Sequence, residues 1–140
     1  MPSHTLDAVL SEVKQTLGIV PEWVNEVPPP ARPGLWQQMR DFQLAETIIP
    51  NKYKELIGLA VSGATRCHYC TLFHTEAARL FGASEAEISE ASMMGGLTMQ
   101  VSTFLNTKQI DRDHFVKETK QIVDHVRKNL KKPTRVGAQA

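Results

Sequence analysis

The stretch Arg66-Cys67-His68-Tyr69-Cys70-Thr71-Leu72-Phe73-His74 holds both cysteines of the chain, two residues apart, with a histidine four positions beyond the second. Such a pair can work as a redox dithiol, contribute to a metal clip, or lie inert in a core. On a helix, spacings of three and four put Cys67, Cys70, His74 and Ala77 or Ala78 on one stripe. His74 then stands beside Cys70 as a base, and one thiol can act as nucleophile while the other resolves it. A cap at Thr65 or Arg66 sets Cys67 in the first turn, where unpaired N–H groups and the helix dipole favour a thiolate. Ala77, Ala78 and Phe81 continue the stripe in apolar form, which predicts a site partly closed to water. Glu55 lies in the preceding helix, with Gly58, Leu59 and Ser62 as its same-face neighbours. Two of these are small, so another helix can approach closely there. If that helix is the cysteine helix, Glu55 accepts a proton from a thiol, directly or through water.

Zinc can use two Cys and one His, with Glu55 as a fourth ligand. The chain has no second Cys pair and no glycine-containing knuckle, so redox chemistry is preferred over zinc and over inert packing. No metal and no cofactor is expected. His68 reads as a surface residue or an accessory to the site, and Tyr69 shares that accessory place. Trp23 and Trp36 read as packing, and Met93, Met94 and Met99 as core or subunit contacts.

The whole chain sets the frame for these residues. At 140 residues it fits a single domain, 1–140, able to build a core without disulfides. The formal net charge of +1 marks it for neither nucleic acid nor an anionic membrane. Its first residues lack a basic segment followed by an apolar run, and no stretch approaches the roughly 20 apolar residues of a membrane span. A cytoplasmic location is expected, where a close Cys pair is more often catalytic or metal-binding than structural.

Helical periodicity dominates. Leu6, Val9, Leu10, Val13 and Leu17 follow the cap candidate Ser3 and end at Gly18. Residues 19–24 add a short helical turn, and residues 28–34, rich in proline, form a stiff connector. Leu35, Met39 and Phe42 mark the next helix. Pro50-Asn51 opens a central one containing Leu56, Ile57, Leu59, Ala60 and Val61. The cysteine helix ends at Gly82, suited to a left-handed cap. Ser84 and Glu87 form a capping box for a long helix that can bend at Gly95-Gly96. Asp111 or Asp113 opens the last helix, with Phe115, Ile122, Val126 and Leu130 at helical intervals, and the basic run from Arg127 to Arg135 complements its C-terminus. Nothing reads as a strand. The expected fold class is all-α, with about six helices, an N-terminal helical extension over 1–30 and a disordered tail over 133–140.

The pattern Glu55, eleven residues, Cys67, two residues, Cys70, three residues, His74 resembles the signature of the alkylhydroperoxidase D-like branch of the carboxymuconolactone decarboxylase family. The continuation from His74 through Gly82-Ala83 to Ile88 is similar as well, and the resemblance covers about residues 35–107. It implies an all-helical subunit that forms homo-trimers or homo-hexamers, and a peroxidase whose dithiol reduces hydroperoxides. An external dithiol donor, a thioredoxin-like protein or a lipoyl group, would recharge it. By position the resemblance makes Cys70 and Cys67 the reactive pair and puts Glu55 and His74 in a proton relay. It departs from the family at one place: Tyr69 stands where the best-characterised branch has a histidine. His68, one residue earlier, is turned by about 100° on a helix and does not substitute. Two alternatives remain open at this point. One is a cofactor-free lyase acting on a small lactone or keto acid; the other is a non-enzymatic redox or zinc sensor.

Overall fold

The computed structural model describes residues 6–130, all of whose regular elements are helical. The Ser3 cap and the 133–140 tail lie outside the described residues. The elements are α1 (Leu6–Leu17), α2 (Glu22–Glu26), α3 (Arg32–Gln38), a π-helical turn (Met39–Leu44), α4 (Asn51–Ala64), α5 (His68–Leu80), α6 (Glu85–Thr107) and α7 (Arg112–Leu130). The helix expected around Leu35, Met39 and Phe42 is therefore an α-helix that widens into a π turn.

The chain divides into two compact units, Met1–Gly96 and Leu97–Ala140. In the first, Val9 and Val13 of α1 bury against Trp36 of α3, with Val20, Met39 and Leu44 packed around them. The indole Nε1 of Trp36 donates to Glu12 at 3.0 Å, and Arg40 holds the other Glu12 oxygen at 2.6 Å. α1 is thus fastened to the α3 segment at both a polar and an apolar contact. Trp23, by contrast, is exposed.

A second cluster, Leu59, Ala78 and Ile88, joins α4, α5 and the start of α6, and it is this cluster that positions the cysteine helix. Removing a leucine-sized side chain from water stabilises by roughly 1.5–3 kcal/mol. The start of α6 is built as its sequence predicts: Ser84 N donates to Glu87 Oε2 at 2.8 Å and Glu87 N to Ser84 Oγ at 3.2 Å. Lys52 of α4 reaches the same carboxylate at 2.7 Å, and its ammonium holds Glu87 below the usual carboxylate range. α6 runs as one helix through the Gly95-Gly96 pair. Gly95 serves a close approach: a side chain there would stand 2.9 Å from the Ala60 carbonyl oxygen of α4.

In the second unit the end of α6 turns through Gln109 at φ 51°, and Asp111, not Asp113, caps α7 by accepting the His114 N–H at 2.7 Å. Phe115, Ile122, Val126 and Leu130 are all exposed on this chain, as are Met93, Met94 and Met99 of α6. No described helix is long and apolar enough to cross a membrane.

Candidate active site

The cysteines sit where one helix is handed to the next. α4 ends in a Schellman motif: Cys67 N donates to Ser62 O at 2.9 Å and Arg66 N to Gly63 O at 3.1 Å. That motif needs a left-handed residue, and Arg66 supplies it at φ 58° although it is not glycine. Such a conformation costs an L-residue about 1–2 kcal/mol. The next residue returns to extended backbone, φ −85° and ψ 100°, and becomes the N-cap of α5. Cys67 is therefore the cap itself, not a first-turn residue following a cap at Thr65 or Arg66. Its Sγ accepts the N–H of Cys70 at 3.2 Å, where a capping serine or aspartate would place oxygen. The two sulfurs are joined, with Cα atoms 5.3 Å apart, inside the range a disulfide requires.

Two hydroxyls fix this junction from behind. Thr71 Oγ1 lies 2.9 Å from the Cys67 carbonyl and 3.2 Å from Ser62 Oγ, while Ser62, buried, donates to Leu59 O at 2.8 Å. Ser62 has a tie in the structure beyond the smallness its sequence position suggests.

One turn further along α5, His74 Nδ1 meets Glu55 Oε2 of α4 at 2.6 Å. Glu55 is completely buried, whereas the His74 side chain keeps 20 % of its exposure. With an ionised Glu55, which can only accept, Nδ1 carries the proton of this bond and Nε2 is the nitrogen left to exchange one. The second carboxylate oxygen, Oε1, is buried without a partner. Phe73 stands edge-on to the imidazole, with ring centroids 5.4 Å apart.

From Cys70 onward burial deepens along the stripe: Cys70 is exposed, His74 is half-buried and Ala78 is closed off, while Cys67 at the cap is half-buried. The expected closure from water holds for Glu55 and the inner end, while Cys70 is open on this chain. His68 and Tyr69 both face outward, Tyr69 at 89 % exposure, so neither joins the Glu55–His74 pair. Among the described residues, no group of three or more His, Cys, Asp or Glu side chains is arranged to hold a metal ion.

The residue that sequence reasoning undervalues is Gly58. A methyl group there would lie 2.5 Å from His74 Cε1, 2.6 Å from Nδ1 and 2.7 Å from Nε2. Its small size admits an imidazole, where the sequence suggests a passing helix backbone. The available signal is a glycine inside a helix, one turn after an acid, where alanine would make the better helix.

A cysteine pair at the N-terminus of α5 and a carboxylate–imidazole contact between α4 and α5 make this an all-α protein similar to those of the alkylhydroperoxidase D-like kind. The sequence profile of the carboxymuconolactone decarboxylase family matches residues 30–109, and the chain belongs to that family. Among solved structures, it is similar to the alkylhydroperoxidase AhpD core from Rhodospirillum rubrum. That similarity has a TM-score of 0.68 and 28 % identity, over 79 % of this chain and 85 % of the other. It is also similar to a protein from Methanobacterium thermoautotrophicum, at a TM-score of 0.55 and 28 % identity, over 65 % of this chain and all of that one. No curated protein matches the chain.

Proposed function

We propose that the protein is a cytoplasmic thiol peroxidase that reduces hydroperoxides through Cys67 and Cys70 and is recharged by an external dithiol. The observation that carries this reading is the placement of the pair. Cys67 caps α5, Cys70 lies one turn on, and the Glu55–His74 pair stands a turn beyond on the neighbouring helix face. In the reduced state, the N–H groups of the first turn favour an anionic sulfur.

The thiol of Cys70, the more exposed of the two residues, passes its proton to His74 Nε2, and the thiolate attacks the terminal peroxide oxygen. The O–O bond breaks, the alkoxide leaves as an alcohol with that proton returned from His74, and Cys70 becomes a sulfenic acid. The Cys67 thiol then displaces its hydroxyl as water and closes the disulfide. Two electrons from a dithiol donor, a thioredoxin-like protein or a lipoyl group, reopen it by exchange. Glu55 holds the imidazole in the tautomer that leaves Nε2 free for this traffic.

The likeness to the alkylhydroperoxidase core of Rhodospirillum rubrum supports the assignment. Apolar residues exposed on α4 and α5, among them Ile57, Val61, Leu72 and Leu80, support assembly into a homo-trimer or homo-hexamer. Sedimentation at micromolar concentration is expected to show such an assembly, and a monomer would remove that part of the reading.

The direct test of function treats dithiol-reduced protein with one equivalent of an organic hydroperoxide. Mass spectrometry should show a Cys67–Cys70 disulfide and one equivalent of alcohol in the solution. Reduced thiols surviving beside intact peroxide would overturn the proposal. A panel of thioredoxin-like and lipoyl donors then reports which one restores turnover.

A further inference from the structure

We infer that Gly58 is the positioning residue for His74: its missing side chain is the seat of the imidazole, and the seat is what holds Nδ1 on Glu55. The consequence for turnover rests on the peroxidase reading above; the seat itself does not.

Gly58 occupies the middle of α4, one turn after Glu55 and therefore on the same face. Glycine is among the poorest residues for that place, because it loses the most conformational freedom when a helix forms. Gly63, in the same helix, shows what an uncommitted glycine looks like: a side chain there would meet nothing within 4 Å. At Gly58 the three closest atoms, at 2.5 to 2.7 Å, all belong to the His74 ring. Carbon contacts are comfortable only at about 3.5–4.0 Å, so a methyl group requires the ring to retreat by about 1 Å.

The pair has little room to absorb that retreat. His74 Nδ1 sits 2.6 Å from Oε2, and a displacement of about 1 Å takes the contact out of hydrogen-bonding range. Glu55 is wholly buried, and its other oxygen has no partner. Once the ring leaves, no other group among the described residues is bonded to the carboxylate. Any side chain at position 58 therefore acts on Glu55 through His74, and Gly58 ties helix packing to the protonation geometry of the site.

The test is a cycle of variants, Gly58→Ala, His74→Ala and the two together, with Gly63→Ala as a control, read by thermal unfolding and by long-range ¹H–¹⁵N spectra of the His74 ring. Gly58→Ala alone should lower Tm and abolish the Nδ1-protonated signature of His74. In the His74→Ala background the same substitution should leave Tm unchanged or raise it, since the ring is gone and alanine favours the helix. Gly63→Ala should leave the His74 spectrum as in the parent. If Gly58→Ala does not fold, folding of the double variant supports the seat and its failure to fold overturns it. An equal loss of Tm in both backgrounds, or a retained Nδ1 signature in Gly58→Ala, would also overturn it. Absence of peroxidase activity in the parent protein would sink the functional reading alone, because neither readout depends on turnover.

Discussion

Glu55→Gln is expected to keep the fold and lower peroxide turnover by about 100- to 10,000-fold, the range a positioned proton-transfer group contributes. Glutamine matches glutamate in shape, and its amide oxygen can still accept from His74 Nδ1. It carries no charge, however, and cannot stabilise an imidazolium as His74 takes up a proton. It can also present its NH₂ group to Nδ1, which turns the imidazole into the other tautomer and puts the proton on Nε2. Either outcome disables the nitrogen that would exchange protons with the sulfur or the leaving alcohol. Loss of stability is not expected to be the cause, since Glu55 has zero exposure and an orphan oxygen, and a neutral isostere is cheaper to bury than a charge. Stopped-flow consumption of hydroperoxide under saturating donor, beside a thermal melt, separates the two effects. A variant whose turnover stays close to the parent's would show that the Glu55–His74 pair is structural.

Replacement of Cys70 by serine should reduce peroxide turnover to the uncatalysed rate, because a hydroxyl at neutral pH is a far weaker nucleophile than a thiolate. Cys67→Ser should behave differently. With the resolving thiol gone, Cys70 is oxidised once and stops as a sulfenic acid, which a 1,3-dione probe labels, and excess peroxide drives it on to the irreversible sulfinic state. The proposed asymmetry rests on the family resemblance and on exposure: Cys70 is open to solvent, whereas Cys67 is half-buried at the cap, where its Sγ accepts the Cys70 N–H. Mass spectrometry of the labelled peptides reads the division directly. A label on Cys67 in Cys70→Ser, with turnover retained, would reverse the roles of the two sulfurs.

Legibility of the fold depends on the range of the signal. Gly18 and Gly82, both at φ 81°, the Ser84–Glu87 box and the Pro50-Asn51 start all occur where expected, because a cap is written in three or four adjacent residues. Arg66 illustrates the converse. A left-handed residue that is not glycine leaves no local mark, so the sequence points to a cap at Thr65 or Arg66 and to Cys67 inside the helix, one residue off the observed junction. The π turn at Met39–Leu44 keeps nearly the apolar spacing of an α-helix, so periodicity does not distinguish it. Its end is held from another element: Asn51 Nδ2 donates to Leu44 O at 2.9 Å, and the Lys54 ammonium to Ala45 O at 2.5 Å.

The dithiol, its helix and His74 on the same stripe can all be read along the chain, because a helix converts spacings of three and four into neighbours without help from the rest of the protein. The meeting of Glu55 with His74 is implied only by the family resemblance and not by spacing, since the residues lie nineteen apart and on different helices. That contact depends on how α4 and α5 dock, through Leu59 and Ala78 in the core, the Ser62 and Thr71 hydroxyls at the junction, and the space left by Gly58. Spacing along one helix is a property of the backbone; which face meets which across two helices is a property of packing, and only the folded chain decides it.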